Sequence, residues 1–166
     1  MTMIKHTDVC TLIKNEDDKD ILTRRLFDVN MRLFDTSPGY RQVVLAACKY
    51  IKLLATTERE GYKKPHGFSG ANAGIPFNII ALADGSVMIN PRIMSNHDAS
   101  IRTSLSNCGS LMLDEPIEVW RWSKITFGYY DWNGKWHEQT GYEPTVQHEI
   151  DHNKGILITD RKAAHA

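Results

Sequence analysis

The segment His148-Glu149-Ile150-Asp151-His152 has the residue types and spacing of a metal centre. On a helix, residues four apart share one face, with Cβ atoms about 5–6 Å apart, so both imidazoles can close on one ion. Glu149, next to the first histidine, places a carboxylate where it can take a proton from a metal-bound water. The bland reading is two surface histidines with a solvated glutamate, and a helical setting for the segment weighs against it. A catalytic centre also needs a third protein ligand and an open coordination position.

Metallopeptidases with His-Glu-x-x-His take their third ligand from downstream. Here 14 residues follow His152, none is a glutamate, and the place of a third histidine in the long form of the motif holds Ile158. His165 lies close to the end of the chain. The third ligand is therefore expected upstream, and Cys108 is the natural candidate. It precedes Gly109-Ser110 in a stretch that reads as irregular. Cys48 reads as a small core residue in an apolar helical stretch, and Cys10 receives no role. Three widely spaced cysteines argue for reduced thiols rather than a disulfide framework.

The elements that must hold these residues follow from hydrophobic period. Residues 143–155, with Pro144 near the start, predict the helix that carries the histidines. Ile21, Leu22, Leu26 and Val29 predict a helix over 17–34, with a break from 35 to 39. Ser37-Pro38 then supplies an N-cap and a first-turn proline. Val44, Ala47, Cys48, Ile51, Leu54 and Ala55 form one apolar face of a long helix ending near Gly61. Strands are expected over 77–83 and 87–93 around Asp84-Gly85, over 117–122, and over 124–132 and 135–139 around Asn133-Gly134. Trp120, Trp122, Phe127, Tyr129, Tyr130, Trp132 and Trp136 crowd the later strands, as a packed sheet would require. The expected class is α+β, with mainly antiparallel sheets packed around a central helix bearing the His-Glu-x-x-His motif.

Composition narrows the function classes. A chain of 166 residues fits a single domain, 1–166, large enough to bury a core without staples. Lys plus Arg and Asp plus Glu are both 20, giving a formal net charge of zero and no electrostatic pull toward nucleic acid or an anionic membrane. No apolar run reaches the length of a membrane span. Glu16, Asp17, Asp18 and Asp20 interrupt any signal-peptide core, so a cytoplasmic location is expected.

With these residues on the page, the sequence resembles the peptide deformylases. Gln147-His148-Glu149-Ile150-Asp151-His152 with Gly155 matches the family's Q-H-E-x-D-H-x-x-G. Ser106-Asn107-Cys108-Gly109-Ser110 stands where the family has E-G-C-L-S, keeping the cysteine and the last serine. Residues 67–76 follow G-x-G-x-A-A-x-Q and its trailing x-G-x-P from the second glycine. Asn72 stands in place of glutamine, and Ser69-Gly70 in place of the two alanines. Ile89-Asn90-Pro91 also resembles a strand end of the family. The likeness runs over about residues 38–161.

The resemblance implies roles residue by residue. Cys108, His148 and His152 would hold one divalent ion, Fe2+ first, with Zn2+, Ni2+ or Co2+ also suited to the site. Glu149 would act as general base and then general acid. The backbone N–H of Gly109 and the side-chain amide of Asn72 would face the developing oxyanion. Gly67 would pair with an added peptide strand, and His66 and Thr145 would line the methionine pocket. The implied substrate is an N-formylmethionyl peptide or nascent chain, a setting compatible with the ribosome, for a monomeric enzyme with no nucleic-acid or membrane partner. The chain stops soon after Arg161, without sequence for the C-terminal helix of many bacterial members. This fits a viral or organellar source.

Overall fold

The computed structural model describes residues 23–58, 66–108 and 115–163. Two helices open it, and each starts on a capping side chain. Asn30 accepts from the Leu33 N–H at 3.1 Å ahead of α1 (Met31–Thr36), and Ser37 accepts from Tyr40 N–H ahead of α2 (Pro38–Thr56). The helix expected over 17–34 is corrected by this arrangement in its described part. Residues 23–30 are not helical, because their backbone is already committed to neighbours. Phe27 N–H donates to the Pro76 carbonyl, Asn78 N–H donates to the Phe27 carbonyl, and Leu26 N–H donates to Asn153. The α2 helix also stops earlier than expected, at Thr56. Thr57 turns extended and bonds back to the Leu53 carbonyl through both its N–H and its hydroxyl.

Seven strands follow: β1 (Gly67–Ser69), β2 (Ile79–Leu82), β3 (Val87–Ser95), β4 (Ile101–Ser106), β5 (Ile117–Trp122), β6 (Ile125–Tyr130) and β7 (Trp136–Gly141). Five form one antiparallel sheet in the order β1-β2-β3-β6-β7, and β4 pairs with β5 in a second. The turns at Asp84-Gly85 and Asn133-Gly134 join β2 to β3 and β6 to β7 as expected. Ile89-Asn90-Pro91 is not a strand end. The pairing of β3 with β6 shifts register between Ile89 and Arg92, and Asn90 takes a left-handed φ of 52°. The Asn90 side chain replaces the lost pairing by accepting from Val29 N–H at 2.7 Å and donating to the Val29 carbonyl at 2.8 Å.

Alternation along β2 shows how the layers form. Ile79 and Ala81 pack with Phe34, Val44, Cys48, Ile51 and Ala55 beneath α1 and α2. Ile80 points the other way, into a cluster with Met88, Ile125, Phe127, Val146 and Ile150. The last two belong to α3 (Pro144–Asn153), which contacts β1, β2 and β3 of the large sheet and β5 of the small one. That helix is therefore central, between the two sheets, as the sequence predicts. A 3-10 turn (Ile158–Arg161) returns beneath β5, where Ile158 is buried with Cys108 and Val119.

Candidate metal centre

A central helix must bury whatever it carries, and here Gln147, Glu149, Asp151, His152 and Asn153 all lie inside. Each needs a partner or becomes a cost. Gln147 behaves like an extra strand rung: its Oε1 accepts from Trp122 N–H at 2.8 Å and its Nε2 donates to the Trp122 carbonyl at 3.0 Å. Asn153 donates to Asn78 and to the Ile79 carbonyl, and accepts from Ala71 N–H. Asp151 is held by two guanidinium groups. Arg121 donates to its Oδ2, and Arg161 donates to both oxygens at 3.0 and 2.8 Å while stacking on Trp120. The helix closes with Gly155 N–H on the His152 carbonyl and Ile156 N–H on the Asp151 carbonyl.

These contacts fix the faces of α3, and one face carries both histidines toward Cys108, which follows β4. The Cys108 Sγ lies 3.4 Å from His152 Nε2, which lies 3.0 Å from His148 Nε2. All three ligand atoms fall within 4.8 Å of one another. Tetrahedral coordination with bonds of about 2.0 Å to nitrogen and 2.3 Å to sulfur requires N···N of about 3.3 Å and S···N of about 3.5 Å. Two of the three separations lie within a few tenths of an ångström of that shape, and one thiol with two imidazoles is a donor set that fits a divalent metal ion.

The electrostatics agree with ligand chemistry. Burial holds His148 well below the ordinary imidazole range, helped by His152 and Arg121. Burial also pushes His152 down to about 4, with Asp151 opposing and Arg121 adding. Both rings are neutral at pH 7, the form that ligates. Arg121 Nη2 is 3.0 Å from His148 Nδ1, and a guanidinium can only donate, so without an ion Nδ1 accepts and the ring proton sits on Nε2; ligation through Nε2 requires that proton to leave. Burial drives Glu149 up to about 8, against the opposing pull of Arg121 and Ser69. Among the described residues, Glu149 Oε2 and His152 Nδ1 are buried without a hydrogen-bond partner. An uncompensated carboxylate oxygen beside a ligand triad is the mark of a group kept for a proton.

Residues 11–165 match the family model described as polypeptide deformylase. The chain belongs to the polypeptide deformylase family. A peptide deformylase of Streptococcus gordonii is 38% identical over 95 residues, covering 54% of this chain and 45% of that protein. One of Streptococcus mutans is 41% identical over 86 residues, covering 49% and 42%. The chain thus spans less than half the length of these curated relatives in the matched stretch. A Plasmodium falciparum peptide deformylase solved with an inhibitor is 25% identical, with a TM-score of 0.67 over 90% of this chain and 87% of that one. The Thermotoga maritima peptide deformylase, at 19% identity, shares the fold with a TM-score of 0.66 over 92% and 97%.

The deformylase motifs converge in space. Gly67, at the start of β1, packs so close to α3 that a Cβ there would come within 2.9 Å of Glu149 Cγ and 3.0 Å of Thr145 Cγ2. Glycine at 67 is what lets the strand approach the general-base candidate. Asn72 is buried on the turn after β1, with its side-chain oxygen bonded by the Ser69 hydroxyl. His66 has an exposed side chain, and its carbonyl accepts from Ala83 N–H. Gly109 lies outside the described residues.

Sequence reasoning missed Arg121, Arg161 and Asn153, and quoted Asp151 and Ser69 within the motifs without giving either a role. Arg121 did carry a signal. In β5 the buried positions are Val119 and Arg121, so a cation occupies the apolar phase of a period-two strand.

Proposed function

We propose that the protein hydrolyses the formyl amide at the N-terminal methionine of peptides, releasing formate and a free amine. The observation that supports this best is the convergence of Cys108, His148 and His152 beside the buried, under-bonded carboxylate of Glu149. A divalent ion held by the three ligands would supply Lewis acidity and bring the pKa of a coordinated water toward neutrality. Thiolate with two imidazoles suits Fe2+, our first choice for the native metal, and also Zn2+, Ni2+ or Co2+.

The chain's own residues do the rest. Glu149 takes a proton at its carboxylate and returns it to the departing amine; burial raises the proton affinity of that carboxylate. The Asn72 amide and the Gly109 N–H donate to the carbonyl oxygen as charge develops on it. Among the described residues β1 lies at the edge of its sheet, and at Gly67 it would offer backbone groups to an extended peptide, with Thr145 beside it and His66 at the strand's start. An Acinetobacter baumannii deformylase of the same fold has been solved with Met-Ala-Ser bound, a peptide without a formyl group that corresponds to the product proposed here. The reading treats 1–166 as one catalytic domain, acting as a monomer in the cytoplasm on nascent chains. Among the described residues, no helix is long and apolar enough to cross a membrane.

The test is direct. Protein purified without oxygen should carry about one divalent ion per chain and release formate from a formyl-methionyl tripeptide. A metal-loaded protein that releases no formate, or that cuts internal peptide bonds instead, would sink the assignment.

A further inference from the structure

Ser69 ends β1, is fully buried, and uses its hydroxyl twice in the turn that follows. Its Oγ accepts from the Asn72 backbone N–H at 3.3 Å, and its hydroxyl proton is donated to Asn72 Oδ1. Backbone bonds close the rest of the turn. Ala73 N–H reaches the Ser69 and Gly70 carbonyls, Ile75 N–H reaches Gly70, Gly70 N–H reaches Ile79, and Asn153 anchors Ala71. The contact with the Asn72 N–H helps close the turn, whereas the proton given to Asn72 Oδ1 adds nothing to closure and is spent on orienting that side chain.

We propose that Ser69 is a positioning residue that aims the Asn72 side-chain amide for the deformylation proposed above. The geometry gives the reason. Capturing Oδ1 on the Ser69 side fixes the amide plane and turns Nδ2 the opposite way. An asparagine is one methylene shorter than glutamine, so its reach depends on where its plane is held. Donors aimed at developing charge act through placement, and a loosely held amide loses most of that effect. Ser69 and Asn72 thus form one unit. The alanine and glutamine found at these two places in the family motif form another, in which the longer side chain reaches without a hydroxyl to aim it.

The unit predicts a crossed pattern in four proteins loaded with nickel: wild type, Ser69→Ala, Asn72→Gln and Ser69→Ala/Asn72→Gln. Each single substitution should lower kcat for a formyl-methionyl tripeptide by about 10- to 100-fold with KM within about threefold, and the double variant should recover to within about fivefold of wild type. In the metal-free protein, the Asn72 side-chain amide protons should give sharp, slowly exchanging NMR signals that broaden and exchange faster in Ser69→Ala.

A Ser69→Ala protein with wild-type kcat overturns the proposal, as does a double variant whose losses multiply. A merely structural hydroxyl would lower the melting temperature and leave both kcat of the folded protein and the amide signals unchanged. If the wild type itself releases no formate, the functional reading fails. The amide signals then decide the Ser69 assignment alone.

Discussion

Replacing Glu149 by glutamine should separate function from stability, and in opposite directions. The carboxyl has an ordinary value of 4.5 and is driven to about 8 in the fold, chiefly by burial. Below pH 4.5 it is protonated in folded and unfolded chains alike, so it costs nothing. As pH rises toward 8 the unfolded chain releases the proton while the folded chain retains it, and stability falls. At about 1.4 kcal/mol per pKa unit, this amounts to roughly 3 kcal/mol at pH 7 and approaches 5 kcal/mol above pH 8. Metal-free Glu149→Gln carries no such proton.

Urea unfolding of both metal-free proteins at pH 5, 6, 7 and 8 measures the difference. The variant should exceed wild type by about 1 kcal/mol or less at pH 5, rising to about 3 kcal/mol at pH 7. His148 and His152 titrate too, but in both proteins, so they cancel in the difference. With metal restored, the variant should keep its ion and lose at least about 100-fold in turnover. A stability difference that does not change with pH, or a variant less stable than wild type at pH 8, would refute the argument that burial poises this carboxyl.

Three further outcomes follow. Cys108→Ala should lower metal content and formate release together, as read by metal analysis and activity on one sample; full metal content in that variant removes Cys108 from the ligand set. The iron-loaded enzyme should lose activity in air while the nickel-loaded enzyme persists, because Fe2+ beside a thiolate oxidises readily; equal decay of the two would place the damage elsewhere. Asn72→Ala should lower kcat by about 10- to 1000-fold with little change in KM, and steady-state kinetics showing the reverse split would make Asn72 a binding residue instead.

The site was more legible in the sequence than its supports. His148 and His152 announce themselves by spacing and by the helix that Pro144 starts, and Cys108 by the want of a downstream ligand. The described fold agrees on both counts. The helix expected over 17–34 failed where it could be compared because period alone cannot register that residues 26–29 have backbone partners at Pro76, Asn78, Asn90 and Asn153, far along the chain. Strand β1 was hidden by its three residues and its glycine. Strand β4 was hidden because all but its last residue are exposed, so Ile101 and Leu105 mark no buried face. Arg161 could not be read at all. Its reach to Asp151 depends on a turn beneath β5 that no local pattern encodes.

The pinning of Gln147 to both polar groups of Trp122 has a consequence for how the metal should be gained and lost. A helix tied to a strand edge cannot turn about its axis without breaking that edge. The direction in which both imidazoles project is therefore inherited from the sheet rather than imposed by the ion. Little of the binding free energy is diverted into ordering the ligands, so the affinity for each divalent ion reports the chemistry of one sulfur and two nitrogens nearly undiluted. Exchange of one ion for another becomes a substitution within a standing frame, with its rate set by access and ligand release rather than by refolding of the helix.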